Sequence, residues 1–117
     1  MARDLRLALD DMLTAISRIE DATRGMEFEQ FCANWKAQYI VERGLMIVSE
    51  ASRAIPQDLK EKYPHVRWIG VRDIGNVLRH QYATLSPSLL WNVVKDELPQ
   101  LSTVVAAMIP LTKEERS

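Results

Sequence analysis

Apolar residues recur at helical spacing near the start of the chain. Between Ala2 and Arg24 they fall three or four positions apart, which marks one stripe of an amphipathic helix. The stripe consists of Leu5, Leu9, Met12, Ile16 and Ile19. Gly25 follows directly and is well suited to end a helix, because glycine tolerates the backbone of a C-terminal cap. We therefore predict a first helix over residues 2–24.

A second helical pattern spans residues 27–55 and ends at Pro56, with a break expected near Ala33 or Asn34. Its aromatic members are Phe28, Phe31, Trp35 and Tyr39. Aromatic residues at this spacing usually form core or a dimer interface, and only rarely a platform for stacking bases. Cys32 lies in the same stretch and is predicted to be a small core residue.

Three further segments complete the pattern. Residues 56–65 contain two prolines and a charged middle, so we expect a connector with at most a short turn of helix. A third major helix is predicted over residues 67–82, followed by a break over residues 83–88. The last helix should start at about residue 87 and run towards residue 109, with Pro99 bending or interrupting it.

These elements predict an all-α fold. Period-two alternation is almost missing and the chain contains only four glycines, so strands have little support. We expect an up-down helical bundle of four to five helices, formed by residues 1–112 as a single domain, with residues 113–117 as a polar C-terminal tail.

Composition narrows the functional classes only slightly. A net charge of -1 over 117 residues gives no overall attraction for nucleic acid, so RNA contact would need a local basic cluster. The single cysteine cannot form an internal disulfide or a thiolate metal site, which fits a reducing cytosol and argues against zinc. The sequence contains neither a signal peptide pattern nor a membrane-spanning run. We expect a cytoplasmic protein without cofactor or metal.

The third major helix carries a polar face. At 100° per residue, Arg72, Asn76 and His80 fall within an arc of about 80°, and Arg79 lies close to Arg72 on the wheel. Histidine exchanges a proton near neutral pH, and a guanidinium group binds phosphate by two parallel hydrogen bonds. The set suits phosphoryl chemistry on RNA without a metal. From spacing alone, the same residues are more typical of the solvated face of an ordinary helix without any activity.

Three ordered segments extend this hypothesis. They are YIVERGLMIVSEASRAIP at 39–56, WIGVRDIGNVLRHQY at 68–82 and LLWNVVKDELPQL at 89–101. Together they resemble the signature segments of HepT-like proteins of the HEPN superfamily. The resemblance implies a homodimeric α-helical bundle in which the motif helices of both subunits line a shared cleft. It also implies a ribonuclease toxin whose antitoxin is an MNT-type nucleotidyltransferase, which silences the toxin by transferring AMP to a tyrosine.

The resemblance assigns roles to individual residues. His80 corresponds to the proton-transfer histidine, Asn76 to the polar residue of the motif, and Tyr82 to the AMP acceptor. Gly75 occupies the position of the family's arginine. Arg72 and Arg79 are the two candidates to replace it as the contact to phosphate.

Several alternatives stay open at this point. With Gly75 at the arginine position, the chain could be a catalytically impaired HEPN subunit that binds a nucleotidyltransferase, and nucleotide or RNA, without cleavage. A purely structural helical dimer is the third hypothesis. Tyr82 could simply pack in line with Leu78, and Glu50 is assigned to helix packing or capping.

Overall fold

The computed structural model describes residues 2–80 and 86–116, with side chains for residues 4–80 and 86–112. Its helices are α1 (Ala2–Thr23), α2 (Phe28–Cys32), α3 (Trp35–Ser52), α4 (Gln57–Lys60), α5 (Trp68–His80), α6 (Pro87–Asn92), a π-helical segment (Val93–Glu97) and α7 (Leu98–Arg116). No strand occurs in the described part of the chain. The predicted all-α class is confirmed. The predicted end of the third helix at Tyr82 lies outside the described residues.

The ends of the first helices follow the local sequence. Gly25 has φ = 74°, a left-handed conformation that glycine adopts without steric cost, and it lies just beyond the end of α1. The predicted break in the second pattern is confirmed, because α2 ends at Cys32 and α3 begins at Trp35. Asn34 caps α3 by accepting a hydrogen bond from the Ala37 backbone N–H at 2.9 Å.

The connector contains the short turn of helix that was expected, the four residues of α4. Trp68 Nε1 donates to the carbonyl oxygens of Lys60 and Tyr63, each at 3.1 Å. These bonds attach the first residue of α5 to the connector before it. The start of α5 is therefore fixed by the side chain of its own first residue.

Residues 87–116 form a continuous helix that contains one π-helical segment. Residues 93–97 form a π-helical segment, and the Leu98 N–H bonds the Val93 carbonyl, five residues back. Pro99 follows, and proline lacks an N–H and crowds the carbonyl four residues before it. The wider π turn removes that conflict, so the predicted disturbance appears just before Pro99. Beyond it, α7 continues through Pro110 to Arg116, past the predicted end near residue 109.

The core lies between α1 and the two helices that flank it, α3 and α7. The helices pack side by side in the order α7, α1, α3, α5. Every member of the predicted α1 stripe is at most 3% exposed: Leu5, Leu9, Met12, Ile16 and Ile19. Within the described ranges, no helix has the length and apolar character needed to cross a bilayer.

In the region of α2 and α3, the prediction for Cys32 is wrong, and the prediction for the aromatic series holds only in part. Cys32 is exposed and is not a core residue, because α2 has only five residues and buries just Phe31. Phe31 packs on Trp91, with ring centroids 5.2 Å apart. Trp35 and Tyr39 are 60% and 58% exposed. Only part of the aromatic series therefore belongs to the core.

One close contact joins α5 to α3. Ser49 Oγ donates to the Arg72 carbonyl oxygen at 2.7 Å and accepts from the Gly75 N–H at 3.1 Å. Both Ser49 and Gly75 are buried. A Cβ at position 75 would lie 2.5 Å from Ser49 Oγ, closer than real Cβ atoms approach such an atom. The spacing of the two helices thus requires glycine at this position.

Two glycines of α5 give a matched test of this contact. Replacing Gly75→Ala should lower the free energy of unfolding by about 1 to 3 kcal/mol, because the methyl group overpacks the helix interface. Gly70→Ala meets only Arg67 Cβ at 3.8 Å and should leave stability unchanged or raise it by up to about 1 kcal/mol through helix propensity. Urea titrations followed by circular dichroism measure both. Equal effects of the two substitutions would contradict the packing role of Gly75.

Candidate functional site

The polar residues predicted to act together lie along the exposed side of α5. Asn76, Arg79 and His80 occupy its last two turns, and Arg72 lies one turn before Asn76. All four are exposed. Tyr82, the predicted modification site, lies outside the described residues.

Arg79 is held by residues of two helices. Its Nη1 lies 2.7 Å from Glu50 Oε1 on α3, and its Nη2 lies 2.9 Å from Asn76 Oδ1 on α5. Met46 Sδ is 3.6 Å from Nη1. Two nitrogen atoms of the planar guanidinium group are thus fixed in different directions, which defines the orientation of its plane.

Arg79 also lies over the motif position that carries glycine. Its Nη1 is 3.7 Å from the point that a Cβ of Gly75 would occupy. The direction of helical side chains explains this, because each Cα–Cβ bond tilts towards the N-terminus and covers the preceding turn. The guanidinium group of Arg79 therefore occupies space beside the residue where the motif would have its arginine.

The contact with Arg79 also orients Asn76. An arginine side chain can only donate hydrogen bonds, so Asn76 presents its amide oxygen to Nη2. Its NH2 group is then directed away from Arg79 and remains a donor. His80 follows one turn after Asn76 on the same side of the helix, a separation of about 5 to 6 Å between Cβ atoms. A donor amide, a cation and an imidazole thus lie on adjoining turns.

Arg72, the other candidate arginine, makes its ion pair with the next residue of α5. Its Nε lies 3.4 Å from Asp73 Oδ1. The pKa of Lys60 is lowered, first by burial of the ammonium group and second by the positive charge of Arg72. The positive charge of Arg72 is therefore close enough to the connector to act on Lys60. The structure places Arg79, and not Arg72, against Asn76.

Glu50 and Ser49 were not among the predicted site residues. They belong to α3 and reach α5 across 29 and 26 residues of sequence, the separations of Glu50 from Arg79 and of Ser49 from Gly75. Helical periodicity gives no signal for such a contact between helices. Within residues 4–80 and 86–112, no cluster of three His, Cys, Asp or Glu side chains could hold a metal ion.

A surface depression adjoins this cluster on the α3 side. It has a volume of about 380 Å³ and is lined by Tyr39, Glu42, Arg43, Met46 and Leu78. Burial raises the pKa of the Glu42 carboxyl group. Met46, which lines the depression, also contacts Arg79. An apolar recess therefore lies beside the polar end of α5.

Comparison with known proteins gives consistent matches. A family model described as ribonuclease HepT-like matches residues 12–108. The chain is 37% identical over 101 residues to "Probable ribonuclease HepT" of Thermococcus cleftensis, covering 86% of this chain and 92% of that protein. It is 34% identical over 103 residues to "Putative RNase MJ1380" of Methanocaldococcus jannaschii, covering 88% and 94%. No solved structure matches significantly.

Proposed function

The chain belongs to the HepT-like ribonuclease family, and on that premise we propose that it is a metal-independent endoribonuclease toxin acting through His80, Arg79 and Asn76. Arg79 carries this proposal. Its guanidinium group lies beside Gly75 and bonds Asn76, so a cation is present where the motif lacks its arginine. This geometry favours cleavage over the alternative of a catalytically impaired subunit that only binds partners.

The proposed reaction needs one proton acceptor, one proton donor and stabilisation of negative charge. The ribose 2′-hydroxyl oxygen attacks the adjacent phosphorus, and the bond from phosphorus to O5′ breaks. A 2′,3′-cyclic phosphate and a 5′-hydroxyl result. His80 transfers a proton in this reaction, since histidine is the side chain most often used as a general acid or base. Arg79 and the Asn76 amide stabilise the charge that develops on the phosphoryl oxygens.

A single chain offers only one histidine at this site, so we propose that a homodimer supplies the second proton-transfer group. Trp35 and Tyr39 pack edge to face, with ring centroids 5.4 Å apart, on an exposed side of α3. Tyr39 and Met46 line the same depression, and Met46 contacts Arg79. A symmetric contact between two copies of such a surface would bring two motif helices together.

Arginine and histidine substitutions test the catalytic proposal. Wild type should cleave RNA in the presence of EDTA, and His80→Ala should abolish cleavage. Arg79→Gln should reduce kcat by about 100-fold or more, because it removes a stabiliser of transition-state charge. Arg72→Gln is the matched control and should stay within a few-fold of wild type.

Cleavage of a labelled RNA oligonucleotide, with 2′,3′-cyclic phosphate identified by mass spectrometry, measures these rates. Loss of activity in Arg72→Gln with full activity in Arg79→Gln would reverse the assignment of the two arginines. Intact RNA after long incubation with folded wild type would reject the nuclease and favour the binding subunit.

The dimer surface can be tested separately. Tyr39→Glu places a charge in the proposed interface and should convert a dimer into a folded monomer with lost cleavage activity. Ile69→Glu alters a residue that is 69% exposed on the first turns of α5 and should leave the dimer intact. Sedimentation velocity measures both. A monomeric wild type, or a dimeric Tyr39→Glu protein, would contradict the proposed interface.

We also propose that an MNT-type nucleotidyltransferase antitoxin silences the enzyme by transferring AMP from ATP to the Tyr82 hydroxyl group, with pyrophosphate as the leaving group. Tyr82 follows His80 by two residues, so the added phosphate would put negative charge next to the motif in sequence. That charge would repel the phosphates of RNA.

Incubation with such a transferase and ATP should add one AMP per chain and suppress cleavage. Tyr82→Phe should remain unmodified, and Tyr63→Phe should be modified like wild type. Intact-protein mass spectrometry measures the addition. Modification of Tyr82→Phe to the same extent as wild type would show that another residue is the acceptor.

A further inference from the structure

Glu50 makes the shortest side-chain contact to the proposed phosphate-binding arginine. Its Oε1 lies 2.7 Å from Arg79 Nη1, and the two residues come from different helices, α3 and α5. Asn76 holds Nη2 from the other side. Without Glu50, one of these two anchors would be lost and the guanidinium group could rotate about its flexible side chain.

This ion pair is poorly placed to stabilise the fold. The side chains of Arg79 and Glu50 are 36% and 54% exposed. Exposed ion pairs contribute about 0 to 1 kcal/mol, because water screens the charges and side-chain entropy opposes the contact. The buried Ser49 hydroxyl already joins α3 to α5. The position of the Glu50 carboxylate therefore matters more for the direction of Arg79 than for the bundle.

The remaining hydrogen-bond capacity of Arg79 suits an anion. A guanidinium group has five N–H donors. Glu50 and Met46 face Nη1, and Asn76 faces Nη2. The Nε–H and the second Nη2–H have no other acceptor among the described residues. Two neighbouring donors can bind a phosphate group through two parallel hydrogen bonds.

We propose that Glu50 is a positioning residue, which holds the Arg79 guanidinium group so that its two remaining donors face the phosphate of bound RNA. The proposal rests on the ribonuclease function proposed above. Glu50 touches neither RNA nor a reacting atom and acts only through Arg79. Its negative charge near the phosphate also opposes substrate binding. Glu50 thus weakens ground-state binding while it improves stabilisation of the transition state.

This double effect predicts opposite changes in kcat and KM. Glu50→Ala should lower kcat at least tenfold, with KM unchanged or reduced, since repulsion is removed together with the anchor. Glu50→Gln keeps an acceptor oxygen and should recover part of the lost kcat. Glu20→Ala removes an exposed acid of α1 and should change neither constant. Unchanged kcat in Glu50→Ala, or a rise in KM that accounts for the whole loss, would overturn the proposal.

A second measurement separates this proposal from the nuclease itself. Nitrogen-15 relaxation of the Arg79 Nε–H group should show an ordered side chain in wild type and in Glu20→Ala, and a disordered one in Glu50→Ala. The measurement requires no catalysis. Ordered Arg79 in Glu50→Ala would reject the positioning role even if RNA is cleaved. If Arg79 loses order in Glu50→Ala but wild type leaves RNA uncleaved, Glu50 still positions Arg79, and the proposed ribonuclease function is rejected.

Discussion

The hydroxyl group of Ser49 determines how α5 is positioned against α3. It bonds a carbonyl and an N–H of α5 at once, and it lies in the space that a side chain at position 75 would require. Buried hydroxyl groups need hydrogen-bond partners, and this one finds them on the backbone of a neighbouring helix. Because both bonds go to backbone atoms, they fix the axial position of α5 as well as its distance from α3.

The position of α5 against α3 has a direct consequence for the candidate site. Gly75 faces the interior, so a long cation at that position would displace α5 from α3. Asn76 and Arg79 instead face outwards, and Glu50 comes within reach from α3. The arginine that accompanies Asn76 is therefore one that follows it in sequence and leans back over the previous turn. Glycine at the motif position therefore does not leave the candidate site without a positive charge.

The direction of helical side chains also distinguishes the two candidate arginines. Arg72 and Arg79 lie close together on a helical wheel, which treats every side chain as perpendicular to the axis. In three dimensions both lean towards the N-terminus, so Arg79 bonds Asn76 one turn before it, while the positive charge of Arg72 acts on Lys60 in the connector. The N-terminal tilt of helical side chains, applied to the sequence, would have favoured Arg79 over Arg72 as the partner of Asn76. It would not have revealed Glu50, whose approach depends on how α3 and α5 pack.

The sequence by itself determined the helical class, the stripe of α1, the break near Ala33 or Asn34 and the short turn in the connector. Each depends on local periodicity or on a glycine, proline or cap whose effect extends over one or two turns. Tertiary structure alone decided that Cys32 is exposed, that Gly75 is buried against Ser49 and that Glu50 meets Arg79. Those outcomes depend on the distance and rotation between helices, which contacts among residues far apart in sequence establish together.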